Sequence, residues 1–138
     1  MPPKTRFALA VDDEPSDLDN LRRALANGGY QVLTASDAKT AMEIFQDHAD
    51  NVEVLVTDVA MSPVNGCDLA EALVCQKPDL QVVFVSGYSG SLGVGYNVPI
   101  SHFAFVAKPF SAENLLHKIR PIGEKVLSAG SAASTDRS

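Results

Sequence analysis

The chain has 138 residues, of which 46% are hydrophobic, 20% charged and 7% aromatic, with no tryptophan and a formal net charge of -6. That length suits one domain that buries roughly 70% of the surface its unfolded chain exposes, and the composition excludes disorder through the middle of the sequence. The acidic balance excludes the basic footprint of direct nucleic-acid or anionic-membrane binding and favours proteins or cations as partners.

Residues 1–6 read as a flexible lead-in, and residues 128–138, rich in Ser, Ala and Gly, read as a disordered tail. The apolar run 7–11 is far too short for a signal-peptide core or a membrane span and stops at Asp12-Asp13-Glu14, so a cytoplasmic protein is expected. Cys67 and Cys75 fall on one expected helix, which separates their backbones by about 12 Å. That is too far for a disulfide, and both are expected to be reduced, partly buried packing residues.

Short apolar runs alternate with longer amphipathic ones, the pattern of a parallel sheet wrapped by helices. Residues 7–11 form the first expected strand, and Pro15 suits the first position of a helix presenting Leu18, Leu21 and Leu25, ended by Gly28-Gly29. Residues 30–35 are the second strand. Ser36 is the expected cap of a helix bearing Ala38, Ala41, Met42 and Phe45 and ending near His48. Residues 53–57 are the third strand, followed after a loop by a helix with Leu69 and Leu73 that stops at Lys77-Pro78. Residues 80–85 and 103–107 are the fourth and fifth strands. A Ser111 cap opens the last helix, with Leu115, Ile119, Ile122 and Val126 on one face and a kink or split at Pro121.

The residues that follow the strands carry the chemistry. The first strand ends in Asp12-Asp13, the third in Asp58, the fourth in Ser86 and the fifth in Lys108. In an open parallel sheet the carboxyl ends all point one way, and ligands bind where the strand order reverses. With right-handed crossovers and a flavodoxin-like order 2-1-3-4-5, the first and third strands are neighbours at that switch point. An acid after a strand more commonly just starts a turn, but here three carboxylates, a hydroxyl and an ammonium converge on one cleft.

Three crowded carboxylates repel one another unless a cation joins them. Mg2+ (or Mn2+) is the expected guest, a hard ion that takes oxygen ligands and often pairs one or two carboxylates with a phosphate. Lys108 suits a phosphoryl oxygen, and Ser86 supplies a short donor. The bland alternatives are a plain Lys108–Asp58 ion pair and an ordinary loop hydroxyl. An Asp carboxylate can attack phosphorus to give an aspartyl phosphate, a reaction that needs positioning and charge neutralisation more than covalent help. His48, His102 and His117 are isolated at element ends or faces and take surface or capping roles.

The ordered set of motifs resembles the receiver domain of two-component response regulators. The resemblance rests on Asp12-Asp13-Glu14-Pro15, Asp58 followed by Met61 and Gly66, Ser86-Gly87, and Phe105-Val106-Ala107-Lys108-Pro109-Phe110, and covers residues 7–127. The segments around Ser86 and 103–110 are most similar to receivers of hybrid histidine kinases. The resemblance implies a flavodoxin-like (βα)5 three-layer sandwich in which Asp58 accepts a phosphoryl group from a phosphohistidine on a histidine kinase or histidine phosphotransfer protein. It also implies that Asp13 binds Mg2+ with Asp12 helping directly or through water, that the backbone carbonyl of Ala60 completes the metal site with Asp58, and that Ser86 and Lys108 grip the phosphoryl oxygens. By the same resemblance Lys108-Pro109 is cis, and Phe105 is the switch aromatic that turns inward as Ser86 moves. The output is then a changed interaction with another, unidentified protein, from a chain that is a monomer or weak dimer and not an enzyme in its own right.

Three departures from the family pattern stand out. Ser62 replaces the usual proline after Met61, with Pro63 following. Ala60 and Tyr88 occupy the positions that tune the phosphoryl lifetime in the family. Residues 89–99 hold Gly90, Gly93 and Gly95 where a fourth helix is expected, a cost on the order of 3 kcal/mol relative to alanine. A short or irregular fourth helix is therefore expected. Two other classes use the same residues differently. A haloacid-dehalogenase-like phosphatase also has a nucleophilic Asp after a strand, but wants a second acid two residues on, where Ala60 stands. A receiver-like interaction module that is never phosphorylated would not need the complete set Asp12, Asp13, Asp58, Ser86 and Lys108.

Overall fold

A computed structural model of the chain describes residues 6–87 and 103–119. The expectations for the start of the lead-in, the irregular fourth helix, Tyr88, His102, the kink at Pro121 and the tail lie outside those residues. The described elements are β1 (Phe7–Val11), α1 (Pro15–Asn27), β2 (Gln31–Ala35), α2 (Ala38–His48), β3 (Val52–Asp58), α3 (Gly66–Gln76), β4 (Gln81–Ser86), β5 (Ala104–Ala107) and α4 (Ala112–His117). All strand pairs are parallel, and the sheet order is β2-β1-β3-β4-β5, as expected.

The sheet is covered on both faces, which is why β1, β3 and β4 read as nearly unbroken apolar runs. The pleat sends alternate residues to opposite layers. Leu9, Val11, Leu55, Val82 and Phe84 pack with Phe45 of α2 and Leu69 and Leu73 of α3. Ala8, Ala10, Val54, Val56, Val83, Val85 and Val106 pack with Leu21 and Leu25 of α1 and Leu115 of α4. Two apolar layers thus clamp the strands so that their carboxyl ends meet at one rim. Among the described residues no helix is long and apolar enough to cross a membrane.

Caps set where the helices begin. In α1, Pro15 takes the first position and the Glu14 carboxylate accepts from Ser16 N at 3.3 Å. Gly28 closes the helix by donating to the Leu25 carbonyl, and Gly29 follows at φ 92°, a left-handed conformation that favours glycine. Ser111 caps α4 as expected, accepting from Asn114 N at 3.0 Å. The α2 cap is corrected: Asp37, not Ser36, accepts from Thr40 N at 2.7 Å, and that bond holds the Asp37 carboxyl below its usual range. Both residues can cap, and only the extended backbone at Asp37 aims a side chain at the third helical N–H. Asp37→Ala is therefore expected to lower stability through the lost cap, with Ser36→Ala nearly neutral. Urea unfolding of both variants checks this.

Other boundaries shift in ways that bear on the site. β3 and β4 each extend to include the polar residue at the end, so Asp58 pairs in register with Val85, and Ser86 with Ala107. Phe103 precedes β5 and sets its ring edge against Phe84 at 5.3 Å between centroids. Arg6 does not belong to a solvated lead-in: its carbonyl accepts from Gln31 N at 3.0 Å, and its guanidinium sits 5.0 Å from the centre of the Tyr30 ring. The cysteines are free thiols, Cys67 buried but Cys75 exposed. Eight residues turn a helix by about 80° beyond two full turns, which carries Cys75 off the packed face.

Candidate functional site

The rim residues assemble because each strand is held in register by its neighbours up to its last residue. Val11 of β1 lies opposite Thr57 of β3, so Asp12 follows at the level of Asp58. Asp12 is fully buried, its N–H donates to the Ala35 carbonyl at 3.2 Å, and its Oδ1 accepts from Glu14 N at 2.9 Å. Asp58 is 6% exposed and Asp13 is exposed. Carboxylate oxygens of Asp12, Asp13 and Asp58 all lie within 4.8 Å of one another, a group able to hold a metal ion.

Lys108 joins this group from just past the end of β5. Its backbone N–H donates to the Ser86 carbonyl at 2.7 Å, which fixes the start of the side chain beside the end of β4. Its Nζ lies 2.8 Å from Asp12 Oδ2, 2.9 Å from Asp17 Oδ2 and 3.4 Å from Asp58 Oδ1. The expected Lys108–Asp58 ion pair is present, but the two shorter contacts are to other acids. Asp17 was not foreseen. It stands in the first turn of α1, while Asp13 lies before that helix, so its one sequence signal was an acid at the amino end of a helix opening on the rim.

The loop after Asp58 is organised by Asn65 and Gly66. Asn65 is a helix cap, accepting from Asp68 N at 2.8 Å, and Gly66 N donates to the Val59 carbonyl at 2.9 Å. A Cβ on Gly66 would collide with the Asp58 carbonyl oxygen, so only glycine lets α3 start this close to the end of β3. Thr57 Oγ1 donates to the same carbonyl at 3.0 Å. Ala60 is exposed in this loop. The peptide bonds Ser62–Pro63 and Lys108–Pro109 are both cis.

Ser86 is 8% exposed at the end of β4, one step past the strand level of Asp58. Phe105 is partly buried, packed against the layer that holds Phe84, its partner in register on β4. It lines that layer beneath the rim and does not join the polar cluster. Of the described histidines, His48 closes α2 with Nδ1 3.0 Å from the Ile44 carbonyl and its ring against Phe7, and His117 lies in the last turn of α4.

Electrostatically the cluster is short of positive charge. Burial, then the negative charge of Asp12, pushes the Asp58 carboxyl up from 3.8 to about 6, against the opposing pull of Lys108. Burial alone would lower Lys108, but hydrogen bonds to Asp12 and Asp17 and the charges of Asp12 and Asp58 outweigh it and hold the ammonium well above its usual range. One fixed cation among four carboxylates leaves a hard-oxygen pocket whose donors suit a divalent ion such as Mg2+.

A family model described as the response regulator receiver domain matches residues 8–120. The chain is 34% identical over 118 residues to the sensor kinase CckA of Brucella abortus (strain 2308), covering 85% of this chain and 12% of that protein. It is 27% identical over 111 residues to the response regulator SaeR of Staphylococcus aureus (strain USA300), covering 80% of this chain and 47% of that protein. The chain therefore spans less than half the length of either curated relative. The solved receiver domain of NtrX from Brucella abortus matches with a TM-score of 0.71 and 27% identity, over 88% of this chain and 98% of that one. Sheet order, rim chemistry and sequence similarity agree: the chain belongs to the family of response regulator receiver domains, signalling modules of two-component systems.

Proposed function

We propose that Asp58 is the phosphoacceptor of this receiver and takes its phosphoryl group from a phosphohistidine on a histidine kinase or phosphotransfer protein. An Asp58 carboxylate oxygen attacks phosphorus, the P–O bond forms as the P–N bond breaks, and the electron pair leaves with the imidazole nitrogen, which is then protonated. The observation that carries the reading is the placement of a buried carboxylate, short of compensating charge, within 3.4 Å of Lys108 and 4.8 Å of two further acids.

Asp12, Asp13 and Asp58, with the Ala60 carbonyl, would hold Mg2+ (or Mn2+). When bound, the ion neutralises charge on the phosphoryl oxygens and favours ionised Asp58. Lys108 and Ser86 take the remaining phosphoryl oxygens, the first as a charge and the second as a short donor. The new charge at Asp58 biases an equilibrium between two conformers, with Phe105 responding to Ser86, and changes which protein the receiver binds. The receiver unit spans residues 7–127 and works in the cytoplasm, a reading supported by the free thiols of Cys67 and Cys75. It assists its own phosphorylation and dephosphorylation and turns over no other substrate. The exposed Ala60 supports this, since a phosphatase of the haloacid-dehalogenase type needs an acid there.

Incubation with Mg2+ and acetyl phosphate, followed by intact mass, tests the proposal. One added phosphoryl group, absent in Asp58→Asn, is the expected result. Sustained turnover of phosphoesters would instead mark an enzyme, and no uptake from small donors or a phosphorylated kinase would mark a purely structural receiver.

A further inference from the structure

We infer that Asp17 is a positioning residue that competes with the phosphoryl group for Lys108, so that the rate of phosphorylation is set partly from the first turn of α1. The inference rests on the phosphoacceptor reading of Asp58. The Lys108 ammonium has three protons to give, and in this structure it hydrogen-bonds to Asp12 at 2.8 Å and Asp17 at 2.9 Å, while the Asp58 oxygen stands off at 3.4 Å. The third proton is left for Asp58 or a phosphoryl group on it, and the ammonium can move closer to that group only as one of its two shorter contacts loosens.

The two partners are not equally able to do so. Asp12 is fully buried at the end of β1, and its other oxygen is tied to Glu14 N, so releasing Lys108 would strand a charge away from water. Asp17 has a side chain 33% exposed on the surface of α1, where water takes over from the ammonium at little cost. The arginines of the same helix do not compensate it, since Arg22 and Arg23 both pair with Asp19. Lys108 thus has one permanent partner and one exchangeable partner, and both hold the ammonium closer than Asp58 does. Asp17 draws the ammonium from Asp58 in the resting protein and returns to solvent when the phosphoryl group arrives.

The test measures uptake rates from acetyl phosphate with Mg2+ by intact mass, in the wild type, Asp17→Asn, Asp17→Glu, Lys108→Met and the Asp17→Asn/Lys108→Met double variant. Chemical unfolding of the same set reads the resting contact without any phosphorylation. Asp17→Asn is expected to accelerate uptake roughly two- to fivefold, the scale of one partly exposed ion pair. Asp17→Glu keeps the wild-type rate, Asp17→Asn has no effect in the Lys108→Met background, and the two substitutions are non-additive in stability. Unchanged or slower uptake by Asp17→Asn overturns the inference. So does equal acceleration without Lys108, which would mean direct repulsion of the donor, and so does strict additivity in stability. If the wild type takes up no phosphoryl group while the stability coupling is intact, the phosphoacceptor reading has failed and takes this inference with it. Loss of the coupling with uptake intact overturns this inference alone.

Discussion

Asp58→Asn is expected to abolish phosphoryl uptake and at the same time to stabilise the metal-free protein near neutral pH by roughly 1–2 kcal/mol. Both effects come from one cause, the confinement of a charge where burial and Asp12 oppose it. The Asp58 carboxyl is raised from 3.8 to about 6 in the folded protein. Below about pH 4 it is protonated both folded and unfolded, and its contribution to stability is fully present. Between about 4 and 6 only the unfolded chain gives up the proton, so unfolding gains and stability falls. Above about 6 the folded protein carries the unwelcome charge, and the penalty stays constant. Asparagine removes the penalty, so the stability of the variant relative to the wild type should rise across that window and then level off. Urea midpoints measured across that pH range without divalent ions check this. An Asp58→Asn variant less stable than the wild type at neutral pH would show that Asp58 is paired well enough to need its charge.

Lys108→Met acts in the opposite direction. It leaves Asp12, Asp17 and Asp58 without their shared cation, and Asp12 is fully buried. Removing one partner of a buried ion pair costs about 3–5 kcal/mol, and the lower end applies because the Lys108 side chain keeps 16% exposure. The loss should shrink as pH falls, and the shrinkage should begin above about 6, because without the opposing pull of Lys108 the Asp58 carboxyl is raised further and takes up its proton earlier. Millimolar Mg2+ should restore part of the stability, because a divalent cation can replace the missing charge among the same oxygens. Phosphoryl uptake should fall as well, since the charge that meets the phosphoryl oxygens is gone. Thermal unfolding with Mg2+ and with EDTA separates these effects. A variant as stable as the wild type in EDTA would contradict the role given to the lysine.

The sheet order and four of the rim positions were legible in the sequence for one reason. Each apolar run of a buried parallel strand stops abruptly at a polar residue, so Asp12, Asp58, Ser86 and Lys108 announce themselves by where the runs end. What the strand pattern does not carry is which way a helix faces. Asp17 looks like any acid in a first helical turn until the packing of Leu21 and Leu25 against β1 and β3 rotates α1 and brings it to Lys108. The Ser36 and Asp37 caps differ by one residue between two capable side chains, and backbone direction alone decides. Gly66 was legible as a loop glycine, but the close approach of α3 to the Asp58 carbonyl that requires it is a matter of tertiary packing.

The most direct measurement is the identity of the phosphorylated residue. After incubation with Mg2+ and a phosphodonor, borohydride reduction converts an acyl phosphate to homoserine, which peptide mass spectrometry can place. Homoserine at position 58 and at no other acid is the predicted result. Label on Asp12, Asp13 or Asp17, or on a histidine with position 58 unmodified, would contradict the assignment of Asp58 as the phosphoacceptor.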